Sequence, residues 1–63
     1  MMYNDYCCKK IADDYYLVFI IKDVGNEEEV GGFTKGQIFI YPKYKDWSLG
    51  YLIRLFMEEN GAV

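Results

Sequence analysis

Histidine is absent from this chain, and serine, threonine and proline occur once each, as Ser48, Thr34 and Pro42. Without an imidazole to relay protons, and with neither hydroxyl beside an evident base, the arrangements that activate a serine or threonine nucleophile are missing. Carboxylates are plentiful but sit next to one another in sequence, at Asp13 and Asp14, Glu27 to Glu29, and Glu58 and Glu59. Such solvated neighbours are not the buried, environmentally separated pair that acid/base catalysis requires. The glycine-containing stretches "GNEEEVGG" and "GGFTKG" lack the spacing of a phosphate-binding loop or a dinucleotide fingerprint. The expectation is a protein that is not an enzyme, with no catalytic residues and no cofactor.

Cysteine is nearly as scarce. Cys7 and Cys8 are adjacent, so a bond between them would close a strained ring and staple no useful loop. With no histidine to help, two thiols cannot complete the four N/S ligands of a structural zinc site, so no metal is expected. They read as reduced, small apolar residues of a cytoplasmic protein.

Positive charge is sparse too. Seven Lys and Arg stand against ten Asp and Glu, a net of -3, and the basic residues are scattered. Lys35, Lys43, Lys45 and Arg54 are interrupted by acids and form no groove that would track a phosphate backbone, so nucleic acid is not an expected partner. The opening "MMYNDYCCKK" has no basic leader followed by an apolar core. The longest apolar run, Tyr15 to Ile21, is far below the ~20 residues that span a bilayer, so no membrane partner is expected.

What the chain does have is aromatic and aliphatic bulk. Aromatic residues make up 19% of the sequence, seven of them Tyr, which excludes the composition of a disordered segment. The 63 residues form one domain, 1–63, close to the lower size limit at which a single core sustains itself. With disulfide and metal set aside, association with another chain is the remaining source of extra stability.

The pattern predicts an α+β fold, a small antiparallel sheet of about three strands packed against one C-terminal helix. Over residues 1–14, Tyr3, Cys7 and Ile11 recur at helical spacing behind the cap candidates Asn4 and Asp5, which favours a short N-terminal helix; an edge strand is the alternative. Asp13 and Asp14 mark a turn. "YYLVFIIKDV" is a strand, with Tyr16, Val18 and Ile20 on one face and Tyr15, Leu17, Phe19 and Ile21 on the other. Gly25 and Asn26 suit a tight hairpin turn, the return strand begins among Glu27 to Glu29, and Gly31 and Gly32 suggest a bulge or bend. After a turn at Lys35 and Gly36, a strand from about Gln37 to Tyr41 ends at Pro42, with Ile38 and Ile40 opposite Phe39 and Tyr41. A helix from about Trp47 to Glu59 follows, with Asp46 as its N-cap candidate. Its apolar stripe is Leu49, Leu52, Ile53 and Phe56; Gly50 lies inside it as a point of close approach, and Asn60 with Gly61 closes it.

One helix is a single layer about 10 Å thick and covers one sheet face. The other face, drawn from Tyr15, Leu17, Phe19, Ile21, Phe39 and Tyr41, needs its own cover, either from the N-terminal segment or from another polypeptide. Burying ~400 Å² of it at ~25 cal/mol/Å² is worth on the order of 10 kcal/mol before association costs, comparable to the whole stability of a small domain. Trp47, Tyr51 and Leu55 make a second apolar ridge at i, i+4, i+8. The leading functional expectation is a small protein-binding module, homodimeric, that inhibits or regulates another protein, such as a virus- or phage-encoded inhibitor of a host enzyme. Asp23, Glu27, Glu28, Glu29, Glu58 and Glu59 would be its acidic contacts. The alternative is a structural subunit that joins a larger complex.

Overall fold

The computed structural model describes residues 5–62. Its elements run β1 (Asp5–Ala12), β2 (Tyr15–Asp23), β3 (Asn26–Thr34), β4 (Gln37–Ile40), a 3₁₀ helix (Pro42–Trp47) and α1 (Gly50–Glu59). The strands form one antiparallel meander in the order β1-β2-β3-β4. The α+β class stands, but the sheet has four strands rather than three.

The extra strand is the segment expected to be helical. Of that helical pattern, Tyr3 and Asn4 lie outside the described residues, while Asp5–Ala12 pairs along β2, Tyr6 opposite Ile20 and Cys8 opposite Val18. Period-two alternation explains the change: Tyr6 and Cys8 point to the core while Asp5, Cys7 and Lys9 take the other face. The backbone groups along β2 also need partners, and that requirement outweighs a weak local helical preference.

Three tight turns join the strands, each with a left-handed residue: Asp14 (φ 57°), Gly25 (φ 76°), and Lys35 with Gly36 (φ 51° and 76°). The expected irregularity near the paired glycines is present. Val18 faces Gly31 and the next residue, Phe19, faces Glu29, which leaves Val30 as the extra residue of a bulge. The bulge aims Val30 inward, where it is fully buried.

The C-terminal helix is shorter than its sequence pattern. Pro42 opens a 3₁₀ turn, Ser48 is left-handed at φ 55°, and α1 begins only at Gly50, with Leu49 rather than Asp46 at its N-cap. The break lets Tyr44 and Leu49 both reach the core, which a continuous helix from Trp47 would not. Gly50 is thus the first helical residue, and a Cβ there would meet nothing within 4 Å, so it serves no close approach. At the other end the Asn60–Gly61 closure is as the sequence indicates. The Asn60 and Gly61 N–H groups donate to Phe56 and Glu58, Ala62 donates to Met57, and Gly61 is left-handed at φ 69°.

The core lies on one side of the sheet, where Val18, Ile20, Val30 and Phe33 pack against Tyr44, Leu49, Ile53 and Met57. Tyr16 stacks on Phe33 at 4.6 Å between ring centroids. Burial of these side chains, at ~1.5–3 kcal/mol each, is the main stabilising term.

Candidate functional site

The strand register lays out the second sheet face in four rows. Asp5, Ile21 and Glu27 form the first, and Cys7, Phe19 and Glu29 the second, with Tyr41 just beyond β4. Lys9, Leu17, Gly32 and Phe39 form the third, and Ala12, Tyr15, Thr34 and Gln37 the fourth. The structure therefore brings together Tyr15, Leu17, Phe19, Ile21, Phe39 and Tyr41, the six side chains assigned to one surface from the strand pattern. Residues 5–12 extend the sheet sideways instead of folding over it, and no element among the described residues covers this face.

The face partly closes over itself. Gly32 carries no side chain, and the Phe39 ring fills the vacancy: a Cβ on Gly32 would lie 2.9 Å from Phe39 Cζ. Phe39 then meets Tyr15 edge-on at 6.3 Å and Tyr41 at 6.0 Å, which draws an aromatic band across β2 and β4. Under that band Leu17 is only 9% exposed, whereas Tyr15 at the rim is 39% exposed. Phe19 is straddled by an ion pair: Lys9 Nζ lies 4.8 Å above the ring and donates to Glu27 Oε1 at 2.6 Å, joining β1 to β3 across β2. Lys9 titrates above its ordinary value because of this hydrogen bond. Being exposed to solvent, the pair itself adds little to stability. Lys9, Cys7 and Asp5 are members of this face that a helical reading of the N-terminus hides; the alternation of Tyr6 and Cys8 with charged neighbours is the signal that would have placed them.

The acidic candidates are mostly engaged within the chain. Glu28 lies on the helix side of the sheet and accepts from Lys22 Nζ at 2.7 Å, Lys43 Nζ at 2.9 Å and the Tyr44 hydroxyl. The two lysine hydrogen bonds hold its carboxyl below the usual carboxylate range. Glu29 accepts from the Tyr41 hydroxyl at 3.0 Å. Burial, and then this bond to an anion, raise the Tyr41 phenol. Glu58 pairs with Arg54 at 3.7 Å. Among the described residues, only Asp23 and Glu59 of the six have neither a hydrogen bond nor an ion pair.

Trp47, Tyr51 and Leu55 are all exposed, Tyr51 the most at 76%. They are not a ridge of one helix, because Trp47 ends the 3₁₀ turn, where it meets the Tyr44 ring edge-on at 4.9 Å. Cys7 and Cys8 are free thiols whose side chains leave opposite faces of β1. Burial raises the pKa of both.

A groove of about 350 Å³ lies between the β3–β4 turn and the end of α1, lined by Gly36, Ile38, Arg54, Met57 and Ala62. Arg54 is the only charged group in that lining, and no nucleophile or acid/base pair faces it. Among the described residues no three potential metal ligands converge, and no helix is long and apolar enough to cross a membrane. The open sheet face is apolar at its centre, around Leu17, Phe19 and Phe39, and polar at its ends. No family model, curated protein or solved structure matches the chain.

Proposed function

We propose that this chain is a non-catalytic protein-binding module, an inhibitor or regulator that acts by occupying a surface of another protein. The observation that carries this reading is the uncovered face of the four-stranded sheet, centred on Phe19, Leu17 and Phe39, while the only α-helix among the described residues is committed to the opposite face. Aromatic side chains held in place by neighbours lose little conformational entropy on binding, which suits them as contact residues. Trp47, Tyr51 and Leu55 offer a second apolar contact area away from the sheet. Engagement of Glu27, Glu28, Glu29 and Glu58 inside the chain weighs against an acidic mimic and in favour of apolar recognition. A cytoplasmic setting accords with two free thiols, and inhibition of a host enzyme by a virus-encoded chain is one form the activity could take.

A second reading, a subunit of a larger assembly, has its own observation: β1 is an eight-residue edge strand whose outer backbone is available to another strand. Cross-linking in the native cell, with tagged wild-type chain and Phe19→Glu, tests the leading reading. Loss of a defined target with Phe19→Glu supports it; a target retained at full yield refutes it. Recovery of a fixed-ratio complex that survives Phe19→Glu but is lost when β1 is altered favours assembly.

A further inference from the structure

We infer that the open sheet face is covered by a second copy of this chain, stacked face to face with its strands antiparallel to those of the first. The inference rests on the reading of that face as a contact surface and names its occupant.

Size is the first support. Strands about 4.8 Å apart and rows spanning about seven residues project to roughly 400 Å² per copy. Two copies together bury about 800 Å² by this measure, the size of a small, weak interface that forms as concentration rises.

Charge placement is the second. The row Asp5, Ile21, Glu27 carries two acids at one end of the face, while the row Ala12, Tyr15, Thr34, Gln37 at the other end carries none. A two-fold axis running across the strands, between the Phe19 row and the Leu17 row, lays the acidic row of each copy over the uncharged row of the other. The same operation sets Phe19 over Leu17 and Phe39 over Tyr41. An axis along the strands would instead stack Glu27 on Ile21, a carboxylate on an apolar side chain. The position of the acidic row thus favours the axis across the strands over the axis along them.

The arrangement places Cys7 near its symmetry mate. One row along the strands and a sheet spacing of about 10 Å put the two Cα atoms about 12 Å apart, against about 17 Å for the other axis. That span is too long for a disulfide and within reach of a short bismaleimide.

Two measurements test this on the full chain. Solution mass across a concentration series should rise from 7.4 kDa to twice that value. Phe19→Glu and the rim variant Tyr15→Glu should each weaken self-association at least tenfold, while Lys45→Glu on the 3₁₀ turn leaves it unchanged. With Cys8→Ser, so that Cys7 is the lone thiol, a short bismaleimide should link two chains in high yield. A wild-type monomer at every concentration overturns the inference, as does a dimer unaffected by Phe19→Glu and Tyr15→Glu. Tyr15, more exposed than Phe19, keeps the test valid where Phe19→Glu does not fold. A monomer whose native-cell target is still lost with Phe19→Glu removes the second copy but keeps the contact surface; a monomer whose target ignores Phe19→Glu removes both.

Discussion

The buried Tyr44 donates its hydroxyl to Glu28, sixteen residues earlier, and so fastens the 3₁₀ turn to the middle of β3. A tyrosine hydroxyl in a core needs an acceptor, and Glu28 is free to serve because Lys22 and Lys43 neutralise it from outside. Tyr44→Phe should therefore lower stability by about 1 kcal/mol, a fall in Tm of roughly 4–8 °C, without altering the sheet. Thermal unfolding followed by circular dichroism checks this, and an unchanged Tm would mean that the bond contributes nothing.

The same carboxylate makes stability depend on acidity. Glu28 has a folded pKa below its unfolded value, so its contribution is present above the ordinary carboxylate range near pH ~4.3 and is lost as pH falls through the lower folded value. Glu28→Gln should be less stable than wild type at neutral pH, and the gap should close on acidification. Urea titrations of both proteins at several pH values give the comparison; a gap independent of pH would assign the effect to packing.

Gly31 and Gly32 are required by close backbone approach. A Cβ on Gly31 would collide with the Phe39 carbonyl oxygen, and one on Gly32 with that of Tyr16. Alanine at either position should cost ~1–3 kcal/mol, whereas Gly50→Ala, with open space around it, should be neutral or stabilising by up to ~1 kcal/mol. Denaturant midpoints for the three variants should rank in that order.

Cys7 and Cys8 should be slow nucleophiles in the folded chain, because burial holds both pKa values above the ordinary thiol range. Their shifts favour the folded state below the unfolded thiol pKa of ~8.5, and this benefit fades as pH rises through the higher folded values. Alkylation at mildly alkaline pH should run several-fold slower in buffer than in denaturant, as read by mass spectrometry. Equal rates would show that the thiols are unprotected.

Strand alternation in "YYLVFII" and "QIFIY" carried most of what could be read in advance, including both faces of β2, the six residues of the open surface and the first and third turns; the second turn falls on Val24 and Gly25, one residue before the expected Gly25 and Asn26, because Asn26 pairs with Asp23. Local pattern failed where a distant partner decided the outcome. Asp5–Ala12 has helical spacing by itself and becomes a strand because β2 offers a ladder. Trp47 matches the helical period, yet Tyr44 and Leu49 pull the chain inward on either side of Ser48 and end the turn there. Lys9, the cation over Phe19, was illegible for the same reason as β1 itself: its place on the face exists only once the strands pair. The partners of Glu28 lie on β2 and the 3₁₀ turn, so a run of three glutamates read as solvated neighbours when its middle member is a tether.

In the meander every strand pairs with its neighbour in sequence, across connections of only two residues. Assembly can proceed hairpin by hairpin, each closure being short and each new strand finding its template already beside it. Such low-separation pairing shortens the search for the native register and predicts fast folding for a sheet protein.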